Sequence, residues 1–178
     1  MDVRFVPLDL ARIDALRYEA VALPFFEDER PLRGAPGLCD WRLCGRLSRL
    51  LMGGRVTGAL GEVTLVPTRP RLPFDKMLLF GAGPSAAFDQ ERFVAVTRAV
   101  FASLDGLRLR NLVLSLPGRA AGQVAPGDAI RWFLAVAAER EELDEVIVLD
   151  DADAARQMQP VVDAEKRRAR AARDVSAS

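Results

Sequence analysis

The order of apolar runs along this 178-residue chain predicts a three-layer α/β domain whose sheet is largely parallel in its second half. Three observations carry that expectation. Short apolar runs bounded by Pro, Gly or acidic residues alternate with stretches of helical periodicity. The run Glu145 to Leu149 is continuously apolar in the manner of a strand covered on both faces. Half of the residues are hydrophobic, which is enough for a core without disulfides or metals.

Taken in order, Val3 to Pro7 and Glu19 to Phe26 read as strands, with Asp9 to Leu16 forming a short helix or turn between them. The acidic loop Glu27 to Pro31 follows. From Leu38 to Met52 a single helix is expected, with Leu43, Leu47, Leu50 and Leu51 on one face and Arg42, Arg46 and Arg49 on another. Gly53-Gly54 ends it. Glu62 to Pro67 and Lys76 to Gly81 read as two more strands, joined by the proline-rich link Thr68 to Pro73. Asp89 is an N-cap for a helix to about Leu104, because Phe93, Val96, Val100, Phe101 and Leu104 recur at core-facing intervals. A strand at Asn111 to Leu116, a helix opened by Asp128, the strand Glu145 to Leu149 and a final helix capped by Asp150 and Asp151 complete the pattern. Beyond Pro160 the chain turns polar all round, so the expected division is a domain over 1–159 and a charged, flexible tail over 160–178.

Composition narrows the chemistry. Lys plus Arg and Asp plus Glu are each 25, so no global field favours nucleic acid or an anionic surface. The sequence has no histidine, which removes Ser-His-Asp and Cys-His activation, His-ligated zinc and His acid–base catalysis together. Cys39 and Cys44, five residues apart in the expected helix, point about 140° apart and do not bridge. Two cysteines without histidine also make no closed zinc site. The amino end lacks the pattern of a secretory signal, and no apolar run approaches the ~20 residues that span a bilayer. The expected compartment is the cytoplasm, with no membrane association.

The run Leu47-Ser48-Arg49-Leu50-Leu51, followed by Gly53-Gly54-Arg55-Val56-Thr57-Gly58-Ala59-Leu60-Gly61-Glu62 and the apolar Val63 to Pro67, carries an L-x-x-L-L helix end and a turn into a strand. Ala20 to Asp28, Lys76 to Gly83 and Leu112 to Pro117 fall in matching order. Together these pieces resemble the amino-terminal domain of the leucyl aminopeptidase family over most of Val3 to about Asp150. The resemblance implies a macro-domain-like fold, with a three-layer α/β/α mixed sheet. It implies no catalysis, since that family's zinc ions and catalytic residues belong to a separate carboxy-terminal domain. The fragment Asp163-Ala164-Glu165-Lys166-Arg167 echoes the family's metal-binding N-T-D-A-E-G-R run, but Val161-Val162 and Lys166 depart from it and the other ligands have no counterparts.

Two further features bear on function. Gly81-Ala82-Gly83-Pro84-Ser85 stands between a strand and a helix, where an α/β sheet presents a ligand crevice; a plain tight turn is the competing reading. The loop Gly118 to Gly127 would line the same edge, and the macro-type fold in other families holds ADP-ribose. Arg42, Arg46, Arg49 and Arg55 would grip an anion or nucleic acid, or would simply be the wet side of an amphipathic helix. The basic run Lys166 to Arg173 carries the same ambiguity. Trp41 and Trp132 read as core or interface anchors. In the family that the chain resembles, this domain contributes to subunit assembly. The expectation is therefore a non-catalytic domain without cofactor or metal, working through a protein partner or as a homo-oligomer, with nucleotide or ADP-ribose binding and nucleic-acid binding as alternatives.

Overall fold

The computed structural model describes residues 1–140 and 143–176, and among these are six strands and six α-helices. They run β1 (Asp2–Pro7), α1 (Leu10–Asp14), β2 (Ala20–Phe25), α2 (Gly34–Arg42), α3 (Arg46–Met52), β3 (Val63–Pro67), β4 (Lys76–Gly81), α4 (Gln90–Leu107), β5 (Asn111–Leu114), α5 (Pro126–Ala137), β6 (Glu145–Asp150) and α6 (Ala152–Ser176). One sheet takes the order β1-β6-β5-β2-β4-β3. Every neighbouring pair is parallel except β3 with β4.

Alternation along the strands builds two cores. On one face Ala22, Leu78, Phe80, Leu112, Val146 and Val148 pack with α4, α5 and α6; on the other Val21, Leu23, Met77, Leu79, Ile147 and Leu149 pack with α1, α2 and α3. The inner strands are thus apolar at successive residues because both faces are covered. The first layer contains fully buried Phe93 and Phe133, each worth ~2–3 kcal/mol in removed apolar surface. Asp89 caps α4 by accepting the Arg92 N–H at 2.9 Å.

Pro24 lies inside a central strand, where a missing N–H would ordinarily break the ladder. Here it does not. The Ala22 carbonyl accepts the Ser115 N–H at 3.2 Å on the β5 side, and the β2–β5 register ends there, so Pro24 faces a neighbour that is already leaving. The two strands part at this point, and this split opens the switch point of the sheet.

The single helix expected over Leu38 to Met52 is two helices. Cys44 and Gly45 take positive φ of 54° and 74°, ending α2, and the Asp40 carboxylate accepts the Leu47 N–H at 2.7 Å to cap α3. Periodicity survived the break, which is why the leucine spacing concealed it: Leu43, Leu47 and Leu51 are all buried. Cys39 is consequently a buried residue of α2 and Cys44 an exposed residue of the break, both free thiols. The helix expected to open at Asp128 begins at Pro126, a residue suited to the first helical turn. Asp151 caps α6 through the Ala154 N–H at 2.7 Å, whereas Asp150 is used elsewhere. α6 runs through Pro160, with Val162 buried beyond it and Lys166 Nζ donating to Asp2 at 2.6 Å. Glu141, Glu142 and residues 177–178 lie outside the described residues, as does the side chain of Arg173 in the basic run.

Candidate functional site

The carboxyl ends of β2, β4 and β5 meet at the switch point, the place where an open α/β sheet presents a ligand crevice. On its β4 side the chain's own backbone fills this place. The Ala82 N–H donates to the Phe25 carbonyl at 2.9 Å, the Gly83 N–H to the Gly58 carbonyl at 2.9 Å, and the Glu27 N–H to the Gly83 carbonyl at 3.1 Å. A Cβ added to Gly81 would stand 2.0 Å from the Ala59 carbonyl oxygen, and one added to Gly58 would stand 2.8 Å from the Glu27 Cα. Only glycine permits these segments to approach so closely. The sequence-predicted site residues Gly81, Ala82 and Gly83 are therefore brought together as a closed turn.

Carboxylates lock the turn from both sides. Glu62 accepts the Thr57 N–H at 2.9 Å and the Gly58 N–H at 2.6 Å. Against the opposing effect of partial burial, these backbone bonds hold its carboxyl below the ordinary value. Ser85 is already engaged, its N–H and hydroxyl donating to Asp28 at 3.0 and 2.6 Å, and the Ser85 hydrogen bonds pull the Asp28 carboxyl down. Deeper in, Glu29 accepts the Arg33 N–H at 2.9 Å and the Phe26 N–H at 3.3 Å, while burial pushes its carboxyl up.

The loop after β5 covers the β2 side, while a hollow of about 420 Å³ bounded by Arg119, Pro126, Asp151 and Gln157 stays open at the end of β6. Phe88 packs edge-on against Phe26 with ring centroids 4.9 Å apart, and a Cβ on Gly118 would meet the Phe88 ring at 2.7 Å. Arg119 reaches across to the end of β6, donating to Asp150 at 2.8 and 3.2 Å and to the Val124 carbonyl at 2.8 Å. Both partners of this ion pair are nearly buried, at 11% and 6% exposure. Sequence reasoning missed Arg119 because nothing local distinguishes one arginine of a glycine-rich loop; it also read Asp150 as a helix cap, although its Oδ1 does accept the neighbouring Asp151 N–H at 2.8 Å. Two polar atoms near these strand ends, Arg92 Nη1 and Ser115 Oγ, are buried without a hydrogen-bond partner among the described residues. Arg92 Nη1 lies 3.2 Å from where a Gly83 Cβ would be.

The arginines do not form one stripe, because the helix beneath them is broken. Arg42, on α2, pairs with Asp14 and lies over the Trp41 ring, 5.4 Å from its centroid. Arg46 donates to the Pro67 carbonyl at 3.0 Å, and Arg49 to the Cys44 carbonyl at 2.8 Å, both across the surface of α3. Arg55 is exposed on the following turn. Beside α2 a surface hollow of about 660 Å³ includes Pro31, Trp41, Cys44 and Arg71, with Arg71 Nη1 donating to the Cys44 Sγ at 3.0 Å. Trp41 is 65% exposed and therefore no core anchor, while Trp132 packs edge-on against Phe93. Asp163 accepts a Gln159 amide N–H at 2.8 Å and Glu165 pairs with Arg168 at 3.5 Å, both along α6. Among the described residues no helix is long and apolar enough to cross a membrane.

The N-terminal domain of the cytosol aminopeptidase family matches residues 22–144 of this chain. No curated protein sequence matches it significantly. Among solved structures, the macrodomain of Mycobacterium tuberculosis DarG is similar, with a TM-score of 0.62 and 16% identity over 82% of this chain and 96% of that one. The macro domain of ganglioside induced differentiation associated protein 2 gives 0.67 and 12% over 90% and 82%. The Oceanobacillus iheyensis macrodomain with ADP gives 0.62 and 11% over 88% of each chain. At such identities these likenesses establish the macro-domain-like fold and nothing finer.

Proposed function

Because the chain belongs to the cytosol aminopeptidase family through that family's N-terminal domain, we propose that it acts without catalysis, as an assembly domain that docks on its own copies or on another protein. The observation that carries this reading is the partly filled switch point. Gly58, Gly81 and Gly83 are drawn into backbone hydrogen bonds, Phe88 fills the space beside Gly118, and the Arg119–Asp150 pair pins the loop above. With the β4 side of the crevice spent on its own backbone, the domain works through its surface. Light scattering across a wide concentration range, with affinity capture from a lysate, tests it. Self-association or a specific partner is expected; a strict monomer that recovers nothing contradicts it.

A second reading is nucleotide binding at the same strand ends. It is favoured by the likeness to a macrodomain solved with ADP and by the unpartnered Arg92 Nη1 and Ser115 Oγ. Melting with and without ADP-ribose separates the two. A ligand with a Kd of about 10 µM, supplied at about 1 mM, adds about 2.7 kcal/mol and raises Tm by several degrees. No shift is expected, and a shift of that size establishes the second reading instead. Nucleic-acid binding through Arg42, Arg46, Arg49 and Arg55 has less support, since the first three already hold intramolecular partners.

A further inference from the structure

The two edges of the sheet are guarded differently. β1 carries Asp2 and Arg4, the first bonded by Lys166 and the second bridged to Glu145 at 2.7 Å and Tyr18 at 2.8 Å. Charge on an edge strand discourages pairing with another chain. β3 has no charged residue from Val63 to Pro67. Val66 faces the core beside α3, whereas Val63 and Leu65 lie on the opposite face and are 45% and 53% exposed. The two form an uncovered apolar ledge one residue apart on the pleat.

The backbone of this edge is open as well. The Gly81 N–H donates to the Glu62 carbonyl at 2.9 Å, and Val63 stands opposite Phe80 in an antiparallel ladder. The hydrogen-bonded positions toward β4 are therefore Glu62, Thr64 and Val66, and the N–H and C=O of Val63 and Leu65 point outward. Pro67 offers no N–H, and Arg46 already holds its carbonyl. The open edge is thus four groups long.

We propose that β3 pairs with β3 of a second copy, antiparallel about a two-fold axis at Thr64, so that one sheet runs through both. In this register Val63 of each copy lies opposite Leu65 of the other. All four outward groups of each strand gain partners, and the two exposed apolar side chains cover each other. Charge agrees with the same register. The acidic start of the strand at Glu62 meets the end where Arg46 is held at Pro67, and it does so twice by symmetry. A parallel pairing would bring acid to acid and base to base. The inference rests on the assembly reading above and names the surface that serves it.

Two variants test it by light scattering and sedimentation, with circular dichroism as the check on folding. Leu65→Pro deletes an outward N–H while leaving the ladder to β4 whole. Leu65→Lys puts a charge on the ledge. Each is expected to raise the dimer dissociation constant at least about tenfold. Trp41→Ser, at an exposed side chain away from β3, leaves it within about twofold. A wild-type chain that self-associates with an unchanged constant in both Leu65 variants overturns this surface and leaves the assembly reading standing. A wild-type monomer that binds a different protein also overturns it, and a monomer without any partner overturns both.

Discussion

The sealed strand ends and the bare β3 edge are opposite solutions to exposed backbone in one sheet. At the ends of β2 and β4, glycine lets loops approach until their N–H and C=O groups satisfy one another, and the Arg119–Asp150 pair pins the loop after β5. At β3 the outward groups of Val63 and Leu65 meet no partner among the described residues of their own chain, and the side chains beside them are apolar. The β4 side of the place where an α/β sheet presents ligands goes into internal cohesion, whereas the edge that monomeric sheets protect stays open.

Substitutions at the sealed end are expected to damage the fold, and those at the edge to spare it. Arg119→Ala has the largest expected effect, because it leaves Asp150 as an uncompensated buried charge; a loss of about 4 kcal/mol in urea unfolding is predicted. Gly81→Ala comes next. Its Cβ meets the backbone oxygen of Ala59, which has no rotamer to escape into, and about 3 kcal/mol should be lost. Glu62→Gln is milder, about 1 kcal/mol at neutral pH, since water screens this partly exposed carboxylate. The sign of its pH dependence follows from a lowered folded pKa. The contribution is complete above the ordinary value of 4.5 and fades as pH falls through the folded value, so the wild-type and Glu62→Gln curves should converge in acid. Leu65→Lys closes the series, changing monomer stability by no more than about 0.5 kcal/mol because the side chain is half exposed. A Leu65→Lys protein that unfolds like Gly81→Ala would erase the contrast.

Much of this fold was legible in the sequence because its strands are short apolar runs and its caps are local. Asp89 and the α4 core residues needed only spacing to be placed, and the glycine-bearing turn before β3 carried the family likeness. Features that depend on distant pairs were hidden. The break at Cys44-Gly45 kept the leucines in phase and so left no trace in the periodicity. The Arg119–Asp150 pair joins residues 31 positions apart and is invisible to any local pattern. The role of Gly81 was ambiguous for the same reason: a tight turn and a ligand cradle use the same residue, and the approach of Ala59, which requires glycine there, is a distant contact. The bare edge of β3 was also unreadable, since strand order is set by pairing and not by chain order.

Amide hydrogen exchange on the unmodified chain, followed at a dilute and a concentrated setting, examines both regions in one experiment. Slow exchange is expected at Ala82, Gly83 and Glu27 in both samples, with Val63 and Leu65 fast when dilute and slow when concentrated. Rapid exchange at Ala82 and Gly83, or Val63 and Leu65 rates indifferent to concentration, would contradict that contrast.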